Sequence, residues 1–152
     1  MEKTTQRFIA FICLLIVAIS MQILGIGAWG AIPNYVLVII VLASLFVRDI
    51  WHELFVLALA VFLLKFSPSV GRDILAFFVV GLAIIVAQRY LPWHAFINCI
   101  FLAITATALL YAFIAPTAMA SLIFGFEMVY NIALTVALYH GLSLLRMFLD
   151  HR

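Results

Sequence analysis

Apolar residues run along this chain in long unbroken blocks separated by short polar punctuation. The blocks cover residues 8–28, 32–47, 51–66, 73–89, 95–115 and 118–146. They are continuous rather than alternating, which predicts helices and not the strands of a membrane barrel. The breakers between them are specific. "GIGAWGAIPN" carries three glycines and Pro33, "KFSPSVGRD" carries Pro68, Gly71 and three charges, "QRYLPWH" carries Arg89 and Pro92, and "IAPTA" carries Pro116. Between the second and third blocks stands "VRDIWHEL", residues 47–54, with Arg48, Asp49, His52 and Glu53. The pattern predicts an all-α, polytopic membrane protein in one domain, with six transmembrane helices. The second, third and fourth are short, at roughly 16–17 residues where a perpendicular span needs ~20. The sixth is long enough to tilt or to leave the bilayer.

Charge tests this count. With six spans and the N-terminus inside, Lys3, Arg7, Arg48, Arg89, Arg146 and Arg152 fall on the inner side, and Lys65 and Arg72 on the outer. Merging the second and third spans leaves Lys3, Arg7, Lys65 and Arg72 against Arg89, Arg146 and Arg152, with Arg48 buried. The positive-inside rule therefore favours six spans with both termini cytoplasmic, and makes "VRDIWHEL" a tight cytoplasmic turn. The apolar stretch from Phe8 to Ile26 follows "MEKTTQR". It exceeds the ~7–15 residues of a signal-peptide core and reads as a retained first span.

Composition sharpens the class. Of 152 residues, 69% are hydrophobic and 9% charged, with a mean hydropathy of +1.34. A soluble domain is ~45–50% apolar and ~25% charged. The polar surface is too small to cover a water-soluble globule, so the lipid bilayer is the expected solvent. A net charge of +2 without basic runs gives no reason to expect a nucleic-acid partner. Cys13 and Cys99 sit in apolar blocks without metal spacing and read as small packing residues.

Little catalytic chemistry is visible. "HELFV" begins like the zinc motif HExxH but has Val56 where the second histidine belongs. Nothing predicts a cofactor, a metal or a catalytic dyad, and the expectation is a protein that is not an enzyme. Glu127 is the one acid well inside a span, ~13 Å from the start of the last block at 1.5 Å per residue. An intramembrane carboxylate is a site hypothesis. Asn131 follows at i+4 and Thr135 at i+8 on the same face. Gln22, and Asn98 with Thr105, are further polar groups within spans that can hydrogen-bond between helices. Contact candidates for a partner or ligand are Glu127, Asn131, Gln22, Asn98 and, from the turn, Arg48.

Three landmarks then line up: "AISMQILG" closing the first block, "IPNYVLVIIVLAS" opening the second, and "FEMVYNIALTVAL" opening the last. With "LFVLALAVFLLKFSPSVGRDILAFFVVGLAIIVAQRY" between them, residues 10–146 resemble the MreD family, the small polytopic subunit of the bacterial rod-shape machinery. One departure is "AVFLLKF", which lacks the acid many members carry late in the third span. The resemblance implies a non-enzymatic scaffold in the bacterial inner membrane. Its partner would be an MreC-like coiled-coil membrane protein, and indirectly MreB, RodA and a class B penicillin-binding protein. It also implies a fold similar to the substrate-binding S subunits of energy-coupling-factor transporters. An alternative function follows, a vitamin-binding membrane subunit with Glu127, Asn131, Asn98 and Gln22 lining a pocket.

Overall fold

A computed structural model describes residues 3–27, 30–47, 49–64 and 71–145. The contact candidate Arg48 lies outside the described residues, as do Lys65, Arg146 and Arg152 of the charge count. The described chain is all-α: α1 (Lys3–Ile23), α2 (Tyr35–Phe46), α3 (Ile50–Leu64), α4 (Arg72–Tyr90), α5 (Ala95–Ile114) and α6 (Leu122–Leu144), with a 3₁₀ turn at Pro116–Ala120.

Four helices, α1, α4, α5 and α6, are long and apolar enough to cross a membrane. This corrects the six-span expectation in two places. The fourth block is not short, because Asp73 in its first turn and Arg89 in its last both lie within a 19-residue helix. Those charges favour the two ends of the helix dipole. Among the described residues the second block yields 12 helical residues and the third 15. At 1.5 Å per residue these span about 18 Å and about 22 Å, short of the ~30 Å hydrocarbon core.

The helices alternate in direction. Phe8 of α1 lies edge-on to His52 and Phe55 of α3. Phe46, at the end of α2, packs against Phe11 of α1 and Tyr139, near the end of α6. Phe96, at the start of α5, also meets Tyr139. The first and last described helical ends therefore share one end of the bundle.

The short α2 is the centre. It packs against all five other helices, and eleven of its twelve residues are buried. A helix apolar on every face belongs inside a bundle. In lipid no water is expelled by such burial, so close side-chain packing holds it in place. α1 turns away before α2 through a left-handed Gly25 (φ 64°): Gly25 N–H donates to Gln22 O, and Ile26 N–H to Met21 O. Only glycine adopts that conformation without a Cβ penalty, so the helix stops there.

α3 and α4 approach closely at Gly81. A Cβ at that position would stand 2.4 Å from the Cδ1 of fully buried Leu57. Overpacking of this kind costs about 1–3 kcal/mol. Gly81→Ala is expected to lower the thermal midpoint in detergent, and Leu57→Ala in the same chain should cost less than it does alone. Equal midpoints for wild type and Gly81→Ala would show that Leu57 simply moves aside.

Candidate functional site

α2 begins far inside the bundle. Asn131, which meets its N-cap Asn34, is the tenth residue of α6, about 13 Å along from Leu122. A helix start leaves four N–H groups without intrahelical partners, and inside a membrane protein these are met by protein atoms. All four are accounted for. Asn34 N–H donates to Asn131 Oδ1 at 2.8 Å. Tyr35 N–H donates to Pro33 O at 3.0 Å. Val36 N–H reaches Gln22 Oε1 of α1 at 3.5 Å. Leu37 N–H donates to the Asn34 side chain at 3.0 Å, the N-cap bond that asparagine is suited to make. The Tyr35 hydroxyl adds a bond to Ile26 O at 2.7 Å, tying the incoming loop to the helix.

Asn131 extends this network. Its Nδ2 donates to Thr107 Oγ1 of α5 at 3.0 Å, and Thr107 in turn donates to Ala103 O at 2.8 Å. One turn nearer the bundle end, Tyr111 of α5 donates its hydroxyl to Glu127 of α6. The pairs Thr107–Asn131 and Tyr111–Glu127 form an antiparallel ladder, i to i+4 on both helices. Asn131 and Thr135 are buried, as the shared stripe with Glu127 predicts, and Glu127 is half-buried. Thr135 Oγ1 finds no hydrogen-bond partner among the described residues. Glu127 is shallower than expected, about 7 Å along α6. Pro116 opens a 3₁₀ turn, and Ser121 caps the helix by accepting from Phe124 N–H at 3.2 Å, so α6 starts four residues later than its apolar block.

Two of the five contact candidates, Gln22 and Asn131, thus meet at the start of α2, with Glu127 one turn away. Asn98 does not join them. It lies at the opposite end of α5, where its Nδ2 donates to Leu91 O at 3.3 Å. Three members of the network were not singled out in advance as contacts: Asn34, Thr107 and Tyr111. Their signal was available, since Thr107 and Tyr111 stand four apart on the helix preceding the Glu127–Asn131 pair.

The opposite end of the bundle holds the rest of the charge. Asp49 caps α3: Trp51 N–H donates to its side chain at 3.3 Å and Glu53 N–H to its carbonyl at 3.1 Å. The ring of His52 pairs with the same Asp49 carboxylate. Trp51 is 75% exposed, the expected place for an interfacial anchor. Glu53 departs from the reading of this stretch as a turn alone. It is buried, and Arg89 Nη2 of α4 donates to its Oε1 at 3.3 Å. Glu53 Oε2 has no partner among the described residues. Cys99 is buried and Cys13 exposed, and both are free thiols.

No protein-family model matches this chain, and no curated protein or solved structure does. The chemistry of the site therefore rests on its own geometry. That geometry is hydrogen-bonding and charge-pairing.

Asn131→Leu leaves the Asn34 N–H without its partner and removes the bond that Thr107 accepts, while Thr107 keeps its own bond to Ala103 O. An unsatisfied buried group costs about 1–3 kcal/mol. The thermal midpoint should fall clearly, while Thr105→Val, one face away on α5, should stay within about 0.5 kcal/mol of wild type. At the other end, Arg89→Ala strands a buried carboxylate and should destabilise more than the Arg89→Gln, Glu53→Gln double variant. The loss should stay below the ~3–5 kcal/mol of a fully buried pair because the Arg89 side chain is 41% exposed. Denaturation in mild detergent of wild type and the four variants measures both effects.

Proposed function

We propose that this protein is a non-enzymatic scaffold of the MreD type in the bacterial cytoplasmic membrane, acting in cell-wall elongation by gathering other membrane proteins. The observation that carries the reading is the use of its intramembrane polar groups. Gln22, Asn34, Thr107 and Asn131 are bonded to one another or to the start of α2, and so build the protein rather than a reaction centre. The outward surface of the bundle is apolar, with Phe62, Leu122, Val129 and Leu144 all exposed. Such a surface meets lipid and the spans of other proteins.

In this reading α1, α4, α5 and α6 cross the bilayer, and the short α2 and α3 pack among them without spanning its full thickness. Both termini are cytoplasmic, and Arg7, Arg89 and the 47–54 stretch lie on the cytoplasmic side. The partner is an MreC-like coiled-coil protein anchored beside the bundle. A second reading, a substrate-binding subunit of an energy-coupling-factor type transporter, draws support from a cavity of about 380 Å³ at the other end. Asn34, Asp73, Phe77 and Leu110 are among its lining residues. That volume suits a small ligand.

Cross-linking in native membranes followed by purification is expected to recover a coiled-coil cell-wall protein. Recovery of no cell-wall component, together with a raised thermal midpoint on adding a vitamin, would replace the first reading by the second.

A further inference from the structure

Glu127 lines a groove of about 370 Å³ between the end of α5 and the start of α6. The other walls are Leu110, Tyr111, Ile114, Ala115 and Ala118. Apart from the carboxylate and the Tyr111 phenol, the walls are hydrocarbon and backbone. Tyr111 holds Glu127 Oε2, and Oε1 has no protein partner among the described residues. No basic side chain among the described residues lines the groove. Arg72, the one described basic residue at this end, lines a different hollow with Leu75, Ala76, Val79 and Phe113.

A carboxylate in an apolar groove within a membrane protein requires either a proton or a cation beside it. A cation borne on a larger body also fills the space beside the carboxylate, which a proton does not. The volume falls in the range of small-molecule sites, and its walls suit an apolar body. We propose that this groove binds an organic cation, a primary ammonium group carried on an apolar body. Glu127 is the counter-ion, and Tyr111 is the positioning residue that fixes the carboxylate. Cation and proton compete for the same oxygens, so binding weakens as pH falls. The source of the ammonium is a free amine or the headgroup of an aminophospholipid. The proposal stands on the groove's own chemistry, and partner recovery can fail without affecting it.

The test uses the full chain in a neutral maltoside detergent with n-octylamine, n-octanol and octanoate. Octylamine alone is expected to raise the thermal midpoint saturably. Glu127→Gln should weaken its binding at least tenfold. Tyr111→Phe should weaken it less and move the pH at which binding is lost. Equal effects of octanol and octylamine on wild type would overturn the proposal without any variant. So would octylamine binding to a folded Glu127→Gln within twofold of wild type. In lipid discs, weaker octylamine binding in phosphatidylethanolamine than in phosphatidylcholine assigns the site to the lipid headgroup. Equal binding in the two assigns it to a free amine.

Discussion

The rest of the structure depends on four backbone N–H groups. They belong to Asn34, Tyr35, Val36 and Leu37, where a helix starts in the middle of an apolar bundle. In water such a start is solvated and costs little. Inside a membrane protein it must be met by protein atoms, and here they arrive from three parts of the chain. Gln22 comes from α1, Asn131 from α6, and Asn34 and Pro33 from the connecting loop. Thr107 of α5 then holds the Asn131 amide in the orientation that points its oxygen at Asn34. Satisfying one helix end thus fixes the mutual placement of α1, α2, α5 and α6.

That constraint explains why α2 can be short. A 12-residue helix facing lipid would leave backbone and bilayer mismatched. Encased by five helices, it need not match the bilayer, because its ends meet protein. Its apolar side chains then serve packing rather than lipid exposure. The same logic orders the opposite end, where Asp49 caps α3 and Arg89 compensates the buried Glu53. Both short helices are therefore anchored by side chains at their N-termini, and the long helices form the wall around α2.

Use of polar groups also separates architecture from chemistry in this molecule. Asn131 and Gln22 have their hydrogen-bonding oxygens engaged with the start of α2, and Asn98 is engaged with a carbonyl at the far end. Glu127 differs: one oxygen is held and the other faces a groove. Unlike the Thr135 hydroxyl and the Asn98 oxygen, which are buried and unpartnered among the described residues, its carboxylate stands in the lining of that groove. The scaffold reading and the groove are compatible, since one uses the lateral surface and the other a recess at one end.

Some of this was legible in the sequence and some was not. Continuous apolar blocks determine helices in a membrane solvent, because a helix satisfies its backbone within one segment and the alternation of a closed barrel is missing. Glycine and proline determine where the chain turns, and the positions of α4 and α5 follow from them to within one residue, whereas α1 runs five residues earlier at both ends than its apolar block. The i, i+4 spacing determines that Glu127, Asn131 and Thr135 share a face. What one-dimensional reading could not supply was which helix is inside, because a short span and an encased helix have the same apolar composition. Nor could it tell that Asn131 serves Asn34, 97 residues away, or that Glu53 in an apparent turn is buried against Arg89. Those pairings depend on which helices are neighbours. Spacing along one helix fixes a face, whereas the partner of that face is settled only when the bundle closes.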